Sequence, residues 1–243
     1  MNNFNIELPI IDKKINQQEE YFILKGEEDE KIQFHDYERI YRIPGLYEEL
    51  FHNRLKCQSP EVIKELLYKN VQQSESNFNE LRILDYGAGN GLVAEALNQE
   101  KPNLIVGIDI FEEAKAAAIR DRGNIYKDYF VENLSEPTES VIQKLKSYNL
   151  NTIVAVSALG LNHIPPDSFI NAFNLIENTG WIAINLIDRF FTKEDETGLK
   201  KTLNWMEGDC IEFLDEKTYV HRLSVTGKPI NYTAIVGRKL NDI

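Results

Sequence analysis

The chain has 243 residues, of which 42% are hydrophobic, and a formal net charge of −12. This length suits one substantial domain with an added segment, and the charge repels nucleic-acid phosphates and anionic membrane surfaces. No apolar run approaches the roughly 20 residues that span a bilayer, and residues 1–15 lack the basic start and apolar core of a signal peptide. We therefore expect a cytoplasmic protein with neither a nucleic-acid nor a membrane partner, and composition leaves its oligomeric state open.

The potential metal ligands are scattered along the chain. Cys57 and Cys210 are far apart and form no Cys-x-x-Cys motif, which favours two reduced thiols. No zinc-site spacing is found among the four histidines, His35, His52, His163 and His221. We expect no metal site.

Residues 1–78 differ from the rest of the chain because charges and aromatic rings alternate there. The acidic run 27–30 predicts a solvated loop. Ser59 is suited to cap a helix whose first residue is Pro60. We interpret residues 1–78 as an N-terminal helical lid that recognises the substrate, and residues 79–243 as the core domain.

From residue 80 to about residue 190, short apolar strands alternate with helices. Five strands are predicted, at 81–85, 104–109, 125–131, 152–157 and 181–187. Between them four helices are predicted, at 91–99, 111–121, 135–147 and 165–177. This alternation is typical of a parallel sheet with helices on both faces.

The C-terminal part has a different pattern. Residues 199–206 predict a helix, and residues 219–225 and 230–237 predict a β-hairpin around a Thr-Gly-Lys-Pro turn. Three hairpin residues are interpreted as exposed edge-strand surface, Tyr219, His221 and Arg222. The predicted fold is α/β: a Rossmann-like, doubly wound, mostly parallel sheet that ends in an antiparallel hairpin.

The most informative segment runs from a predicted strand through alternate glycines into a predicted helix. The glycines are Gly87, Gly89 and Gly91. Glycine allows a tight turn with positive φ and leaves room for a ligand beyond the carboxyl ends of the strands. A dinucleotide-binding loop would have a glycine where this chain has Leu92. Asp85, two residues before the first glycine, would oppose a pyrophosphate but attract a cationic group.

A second acid, Asp109, ends the second predicted strand. A carboxylate at this position can accept hydrogen bonds from ribose hydroxyls, whichever nucleoside the ligand contains. Asp109 can also cap the helix that starts near Phe111, and the two roles are compatible.

The motif Asp-x-Gly-x-Gly-x-Gly, followed by the acid that ends the next strand, resembles class I S-adenosylmethionine-dependent methyltransferases. The resemblance covers about residues 80–190, and the hairpin extends it to the C-terminus. Residues 41–47, 85–92 and 221–223 also resemble a group of bacterial methyltransferase-domain proteins, which implies the fold but no substrate. The implied cofactor is S-adenosylmethionine, the implied product is S-adenosylhomocysteine, and the implied activity is methyl transfer.

The resemblance also implies a set of cofactor contacts. They comprise Asp85, Gly87, Gly89, Gly91, Asp109, Ile110, Asn133 and Ser157. Asp85 and the glycines would surround the methionine portion, Asp109 would hold the ribose, and Ile110 would pack on the adenine. Asn133 would contact the adenine amino group, although the family often has Asp there, and Asp128 is a competing assignment.

The loop after the fourth strand is expected to face the transferred methyl group. It contains His163, a candidate general base because its unperturbed pKa is about 6.5; the alternative is a loop histidine that caps or packs. The Asp/Asn-Pro-Pro-Tyr/Phe motif of many enzymes that methylate base amino groups is absent from the sequence, which disfavours DNA as the substrate.

A tyrosine-rich segment, residues 37–47, offers candidates for substrate binding. Its tyrosines, Tyr37, Tyr41 and Tyr47, combine an apolar ring with a polar tip, so they can line a pocket or pack in the core. Arg39 and Arg42 can recognise a carboxylate or phosphate, or pair with neighbouring glutamates.

We interpret the chain as a methyltransferase that acts on a small molecule. One alternative is a related domain that binds S-adenosylmethionine without catalysis, or that uses it in another reaction such as a cyclisation. A nicotinamide-dependent oxidoreductase is a further alternative, but Asp85, Leu92 and the terminal hairpin disfavour it.

Overall fold

The computed structural model describes residues 4–9, 19–159, 164–188 and 198–243. Its strands are β1 (Ile6–Glu7), β2 (Tyr21–Leu24), β3 (Glu30–Gln33), β4 (Arg82–Tyr86), β5 (Leu104–Asp109), β6 (Asp128–Val131), β7 (Thr152–Ala155), β8 (Trp181–Ile187), β9 (Ile211–Leu223) and β10 (Pro229–Lys239). Its α-helices are α1 (Tyr37–Arg42), α2 (Ser59–Gln73), α3 (Leu92–Asn98), α4 (Glu112–Arg122), α5 (Glu139–Lys146), α6 (Pro166–Phe173) and α7 (Leu199–Met206). A π-helix spans Glu48–Arg54, and a 3₁₀ turn spans Phe78–Glu80.

The main sheet has seven strands in the order β6-β5-β4-β7-β8-β10-β9. Strands β4 to β8 pair in parallel, and β10 is antiparallel to both of its neighbours, β8 and β9. The order reverses at β4, so a crevice opens beyond the carboxyl ends of β4, β5 and β7. The predicted fold class is confirmed, including the terminal hairpin.

Helices cover both faces of this sheet. On one face, α5, α6 and α7 pack on a cluster that includes the fully buried Phe169 and Phe173. On the other face, α2 and α3 bury Ile63, Leu67 and Leu97 against the sheet. Burying each such side chain stabilises the fold by about 1.5–3 kcal/mol before entropy costs. Among the described residues, no helix is long and apolar enough to cross a membrane.

The N-terminal part contains a small sheet that the sequence analysis did not predict. Strands β1, β2 and β3 pair antiparallel in that order. Phe22 and Ile32 on these strands, and Phe34 directly after β3, are buried in a cluster with residues of the π-helix and with Val225 after β9. The strands were missed because they are two to four residues long and lie beside acidic residues. The acidic run forms the turn from β2 into β3, whose first residue is Glu30.

The proposed boundary at residue 78 falls after α2. This helix packs against the main sheet and α3 rather than against the small sheet. The two-part division of the chain stays a prediction, and α2 structurally supports the main sheet.

Candidate functional site

The glycine loop joins β4 to α3 in a conformation that requires glycine. Gly87 has φ 75° and Gly89 has φ 52°, both in the left-handed region. A Cβ on Gly87 would lie 2.6 Å from the Ala158 Cβ, and one on Gly89 would lie 2.6 Å from the Tyr41 hydroxyl oxygen. The loop is therefore a close-fitting backbone cradle that a side chain would fill.

Asp109 ties the end of β5 to this cradle. Its Oδ2 accepts a hydrogen bond from the Gly89 backbone N–H at 2.9 Å, and its Oδ1 accepts one from the Phe111 N–H at 3.1 Å. The Tyr129 hydroxyl donates to the Gly89 carbonyl at 2.7 Å. Burial raises the pKa of Asp109, while these backbone donors oppose the rise. Each carboxylate oxygen keeps a further lone pair for a ligand.

Asp85 lies beneath the glycine loop and is only 1% exposed. The Tyr126 hydroxyl donates to its Oδ2 at 2.7 Å, whereas its Oδ1 is buried without a hydrogen-bond partner among the described residues. Burial raises the pKa of Asp85 to about 7, with Tyr126 opposing and nearby Asp109 adding to the rise. A buried carboxylate with an unsatisfied oxygen favours a nearby cation.

Two clefts meet at the glycine loop. The Asp109 cleft is lined by residues that include Tyr86, Asp109, Ile110, Phe111, Asn133 and Leu134. The His221 cleft is lined by residues that include Gly89, Asn90, Ser59, His221, Arg222 and Tyr232. Each encloses about 850–880 Å³, including its open mouth. They share Gly87, Ser157 and the three tyrosines of the 37–47 segment, so these residues form the boundary between them.

The Asp109 cleft brings together most of the predicted cofactor contacts. Ile110 exposes 57% of its surface there, which is unusual for a large apolar side chain and suits a planar ligand. Asn133 accepts a hydrogen bond from the Ser135 N–H, and its amide nitrogen has no hydrogen-bond partner among the described residues. Asp128 lies at the opposite end of β6 and accepts from Tyr148 instead. Asn133, not Asp128, therefore lines the cleft.

The three predicted substrate-binding tyrosines form a stack. The ring centroids of Tyr37 and Tyr41 are 6.0 Å apart, and those of Tyr41 and Tyr47 are 5.2 Å apart. Burial raises the pKa of each phenol above its usual range, so all three stay protonated at neutral pH. The stack both packs and lines the two clefts, which combines the two roles considered for these residues.

The arginines between these tyrosines are engaged with glutamates. Arg39 makes a two-pronged pair with Glu30, at 2.7 and 2.6 Å, and Arg42 pairs with Glu113 at 2.6 Å. Of the two roles considered for them, glutamate pairing is the one that the structure shows.

The loop after β7 is only partly described. His163, the candidate general base, lies outside the described residues. Ser157 has φ 58°, and its backbone N–H donates to the Asn185 Oδ1 at 2.6 Å. This contact holds Ser157 at the junction of the two clefts.

The hairpin prediction needs a correction, because its three singled-out residues are buried. Tyr219, His221 and Arg222 are 9%, 5% and 3% exposed. The β9 strand is an edge strand, but α2 and the N-terminal part cover its carboxyl end, where His221 and Arg222 line a cleft. Their position at the carboxyl end of a strand is the signal that could have indicated them.

Ser59 also differs from the sequence prediction. Helix α2 begins at Ser59 itself, and Gln58 occupies the capping position without a side-chain hydrogen bond. The Ser59 hydroxyl instead lies 2.6 Å from both the Tyr219 hydroxyl and the His221 Nδ1. Sequence analysis could not find this contact because its partners lie more than 150 positions away along the chain.

Comparison with known proteins identifies one matching family model and a set of similar folds. A family model described as a methyltransferase domain matches residues 51–227. No curated protein sequence matches the chain.

Several solved structures share the fold. The N-methyltransferase NodS from Bradyrhizobium japonicum, in complex with S-adenosyl-L-homocysteine, is 11% identical, with a TM-score of 0.59 over 86% of this chain and 98% of that chain. A proposed RNA methyltransferase from Pyrococcus horikoshii is 14% identical, with a TM-score of 0.54 over 75% of this chain and 84% of that one. The [4+2]-cyclase SpnF is 13% identical, with a TM-score of 0.51 over 74% of this chain and 81% of that chain.

Proposed function

Because the chain belongs to the methyltransferase-domain family, whose cofactor is S-adenosylmethionine, we propose that it transfers the methyl group of this cofactor to a small molecule. The chemistry that the cofactor supplies when bound is an electrophilic methyl group on a sulfonium ion. The rest of the proposal concerns what the residues of this chain do.

The observation that carries the proposal is the composition of the Asp109 cleft. A carboxylate with free lone pairs suits ribose hydroxyls, and exposed Ile110 next to Phe111 suits one face of an adenine. The unpaired amide nitrogen of Asn133 is a donor, so it would bind a ring nitrogen of the adenine. Its amide oxygen accepts from the Ser135 N–H and keeps a second lone pair, which could accept from the adenine amino group.

The other end of the cofactor fits the glycine loop. The methionine portion carries an ammonium group, and Asp85 offers a buried oxygen without a partner beneath the loop. Because Asp85 does not line either cleft among the described residues, its attraction would act through the loop or a bridging water. A cation nearby would favour the ionised form of Asp85 and lower its pKa.

The tyrosine stack supports the alignment of acceptor and methyl group. Methyl transfer depends chiefly on holding the acceptor atom in line with the sulfonium, and rigid side chains at the cleft junction restrict that geometry. Tyr41 contacts the glycine loop directly, as the close approach of its hydroxyl to Gly89 indicates. The stack would also exclude water from the transferred group.

Two observations favour a small molecule over a nucleic acid. The net charge of −12 opposes a polyanion. Arg39 and Arg42, which line neither of the two clefts, are already paired with glutamates and so are poorly placed to bind phosphates. Fold similarity does not decide between the classes, since one similar structure is a proposed RNA methyltransferase.

A labelling experiment tests the choice of substrate. The protein is incubated with S-adenosylmethionine carrying a tritiated methyl group and with an extract of its own host, separated afterwards into small molecules, nucleic acids and proteins. We expect label in the small-molecule fraction, absent when Asp109→Ala protein is used. Label in RNA or protein would contradict the proposal.

A further inference from the structure

A buried hydrogen-bond network lies behind the His221 cleft. The Asn185 Oδ1 accepts from the Ser157 backbone N–H at 2.6 Å, which fixes the orientation of this amide. Its nitrogen then donates to the Tyr219 hydroxyl at 2.7 Å and to the Ser59 hydroxyl at 3.2 Å. Ser59 in turn lies 2.6 Å from both Tyr219 and the His221 Nδ1.

The number of protons in this network favours one arrangement. The two 2.6 Å contacts of Ser59 each need one proton, and a hydroxyl oxygen has one proton and two lone pairs. If His221 donated from Nδ1, either the Tyr219 proton would have no acceptor among the described residues, or Ser59 would accept from both Tyr219 and His221 and its own proton would be left to the Cys57 sulfur, a weak acceptor. That second arrangement would also move the Asn185 donor from Ser59 at 3.2 Å to Ser157 at 3.4 Å. If Tyr219 donates to Ser59 and Ser59 donates to Nδ1, both 2.6 Å contacts are satisfied, and Ser59 uses its one proton and, with the Asn185 donor, both of its lone pairs.

We infer that His221 is a neutral imidazole with its proton on Nε2, and that it donates this proton in a hydrogen bond to an acceptor oxygen on the molecule that receives the methyl group. This inference rests on the proposed function. His221 lines the cleft, its Nδ1 faces Ser59, and its Nε2 has no hydrogen-bond partner among the described residues. Burial and nearby Arg222 lower the pKa of His221 to about 3, which agrees with a neutral ring.

The surroundings indicate the kind of molecule that His221 would recognise. The Tyr232 ring packs on His221 with its centroid 4.2 Å away, and the tyrosine stack forms another wall of the cleft. Arg222 pairs with buried Glu20 at 2.6 Å, so it adds no net charge. Aromatic walls around the neutral Nε2 donor of His221 fit an uncharged, planar molecule that carries a carbonyl oxygen. His221 is thus a specificity residue rather than the base.

The tautomer can be measured directly. The protein is labelled with ¹⁵N-histidine, and long-range ¹H–¹⁵N correlations are recorded at neutral pH, with His221→Gln used to assign the signal. We expect the proton on Nε2. In Ser59→Ala, which removes the donor to Nδ1, we expect the two nitrogen shifts of His221 to converge as tautomers mix. A proton on Nδ1 in the unmodified protein, or shifts unaffected by Ser59→Ala, would overturn the inference.

A matched pair of probes tests the recognition. Acetophenone and ethylbenzene have similar shapes and differ in the carbonyl oxygen. In the S-adenosylhomocysteine complex, acetophenone should shift the His221 Nε2 resonance and bind about 3- to 10-fold more tightly than ethylbenzene, the amount that one hydrogen bond supplies. His221→Leu should abolish the difference, and equal binding to the unmodified protein would contradict the assignment. If S-adenosylhomocysteine does not bind, the proposed function fails while the tautomer result stands independently.

Discussion

At the scale of single residues, the ionised Asp85 carboxylate lowers the stability of the ligand-free protein but favours binding of the cationic cofactor. Its pKa of about 7 in the folded chain lies above the ordinary value of 3.8 because the carboxyl is buried. The folded state therefore holds this proton more tightly than the unfolded state. The resulting stability is fully present below pH 3.8 and is lost as the pH rises through 7.

We predict that Asp85→Asn stabilises the ligand-free protein at pH 8, because the amide carries no charge to bury. The size is on the order of 2–4 kcal/mol, since one pKa unit corresponds to about 1.4 kcal/mol. The same variant should bind S-adenosylmethionine at least about tenfold more weakly, because one charge-assisted interaction is lost. Urea unfolding and calorimetry measure the two effects.

Asp128→Asn provides the matched control for this substitution. Asp128 also accepts a hydrogen bond from a tyrosine, Tyr148, at 2.7 Å, but it is less buried and lies away from both clefts. We expect Asp128→Asn to change the stability and the cofactor affinity much less than Asp85→Asn does. Equal effects of the two substitutions would show that Asp85 has no special role.

Gly89 permits a second test at this scale. Gly89→Ala should weaken cofactor binding and cost about 1–3 kcal/mol of stability, because the new Cβ meets the Tyr41 hydroxyl in a left-handed backbone conformation. Adding Tyr41→Phe removes that oxygen and leaves the next Tyr41 atom 3.5 Å away. The double variant should therefore recover part of the stability in denaturant unfolding. Strictly additive losses would rule out the contact.

Residue-level prediction from sequence succeeded where the signal is local. The spacing of Asp85 and the three glycines places them in one loop, so their proximity followed from consecutive positions. Ser59 shows the limit of this approach. Its sequence context indicates a helix cap, but its hydroxyl forms hydrogen bonds with Tyr219 and His221, which are distant in sequence. These contacts depend on tertiary packing, so the local sequence does not reveal them.

At the scale of elements, a buried ion pair joins the N-terminal part to the hairpin. Glu20, directly before β2, accepts from Arg222 at 2.6 Å and from the Val225 N–H at 2.7 Å. Both side chains of the pair are less than 5% exposed. Removing one partner leaves the other charge buried without compensation. The free-energy cost of that unpaired charge exceeds the net stabilisation that the intact pair provides.

We predict that Glu20→Ala destabilises the protein by about 3–5 kcal/mol. Glu30→Ala, which breaks the solvent-exposed pair with Arg39, should cost only about 0–1 kcal/mol. Denaturant unfolding compares the two variants. Similar losses would mean that Glu20 does not anchor the N-terminal part.

Prediction of elements depended on how clearly each one shows its pattern. The strands β5 and β8 match their predicted bounds, because buried parallel strands form continuous apolar runs. Strand β9 begins eight residues before its predicted start at 219, since Glu212, Asp215, Glu216 and Lys217 obscure the alternation on this edge strand. The N-terminal strands were missed for the related reason that they are too short to show a period.

At the scale of the whole molecule, the net charge of −12 affects which ligands approach. S-adenosylmethionine has one more positive charge than S-adenosylhomocysteine. We predict that raising ionic strength from about 0.01 M to about 1 M, which shortens the Debye length from about 30 Å to about 3 Å, weakens binding of the former several-fold and of the latter little. Calorimetry at the two salt concentrations measures this, and equal salt dependence would contradict it.

The main α/β fold was predictable because strand and helix signals alternate along the chain and the hairpin is continuous in sequence. The rules of parallel α/β topology restrict the sheet order to a few possibilities, of which the structure shows one. The His221 cleft was not predictable, because it forms where the carboxyl end of β9, the start of α2 and the N-terminal part meet. Contacts among three segments so distant in sequence have no local signature.

The most direct test of the account is a calorimetric titration with S-adenosylmethionine, S-adenosylhomocysteine and NAD. We predict that the first two bind with micromolar-scale affinity, about −8 kcal/mol, and that NAD does not bind. We also predict that Asp109→Ala loses the binding while its circular-dichroism spectrum matches that of the unmodified protein. Binding of NAD without S-adenosylmethionine, or an unchanged affinity in Asp109→Ala, would contradict the assignment of the Asp109 cleft.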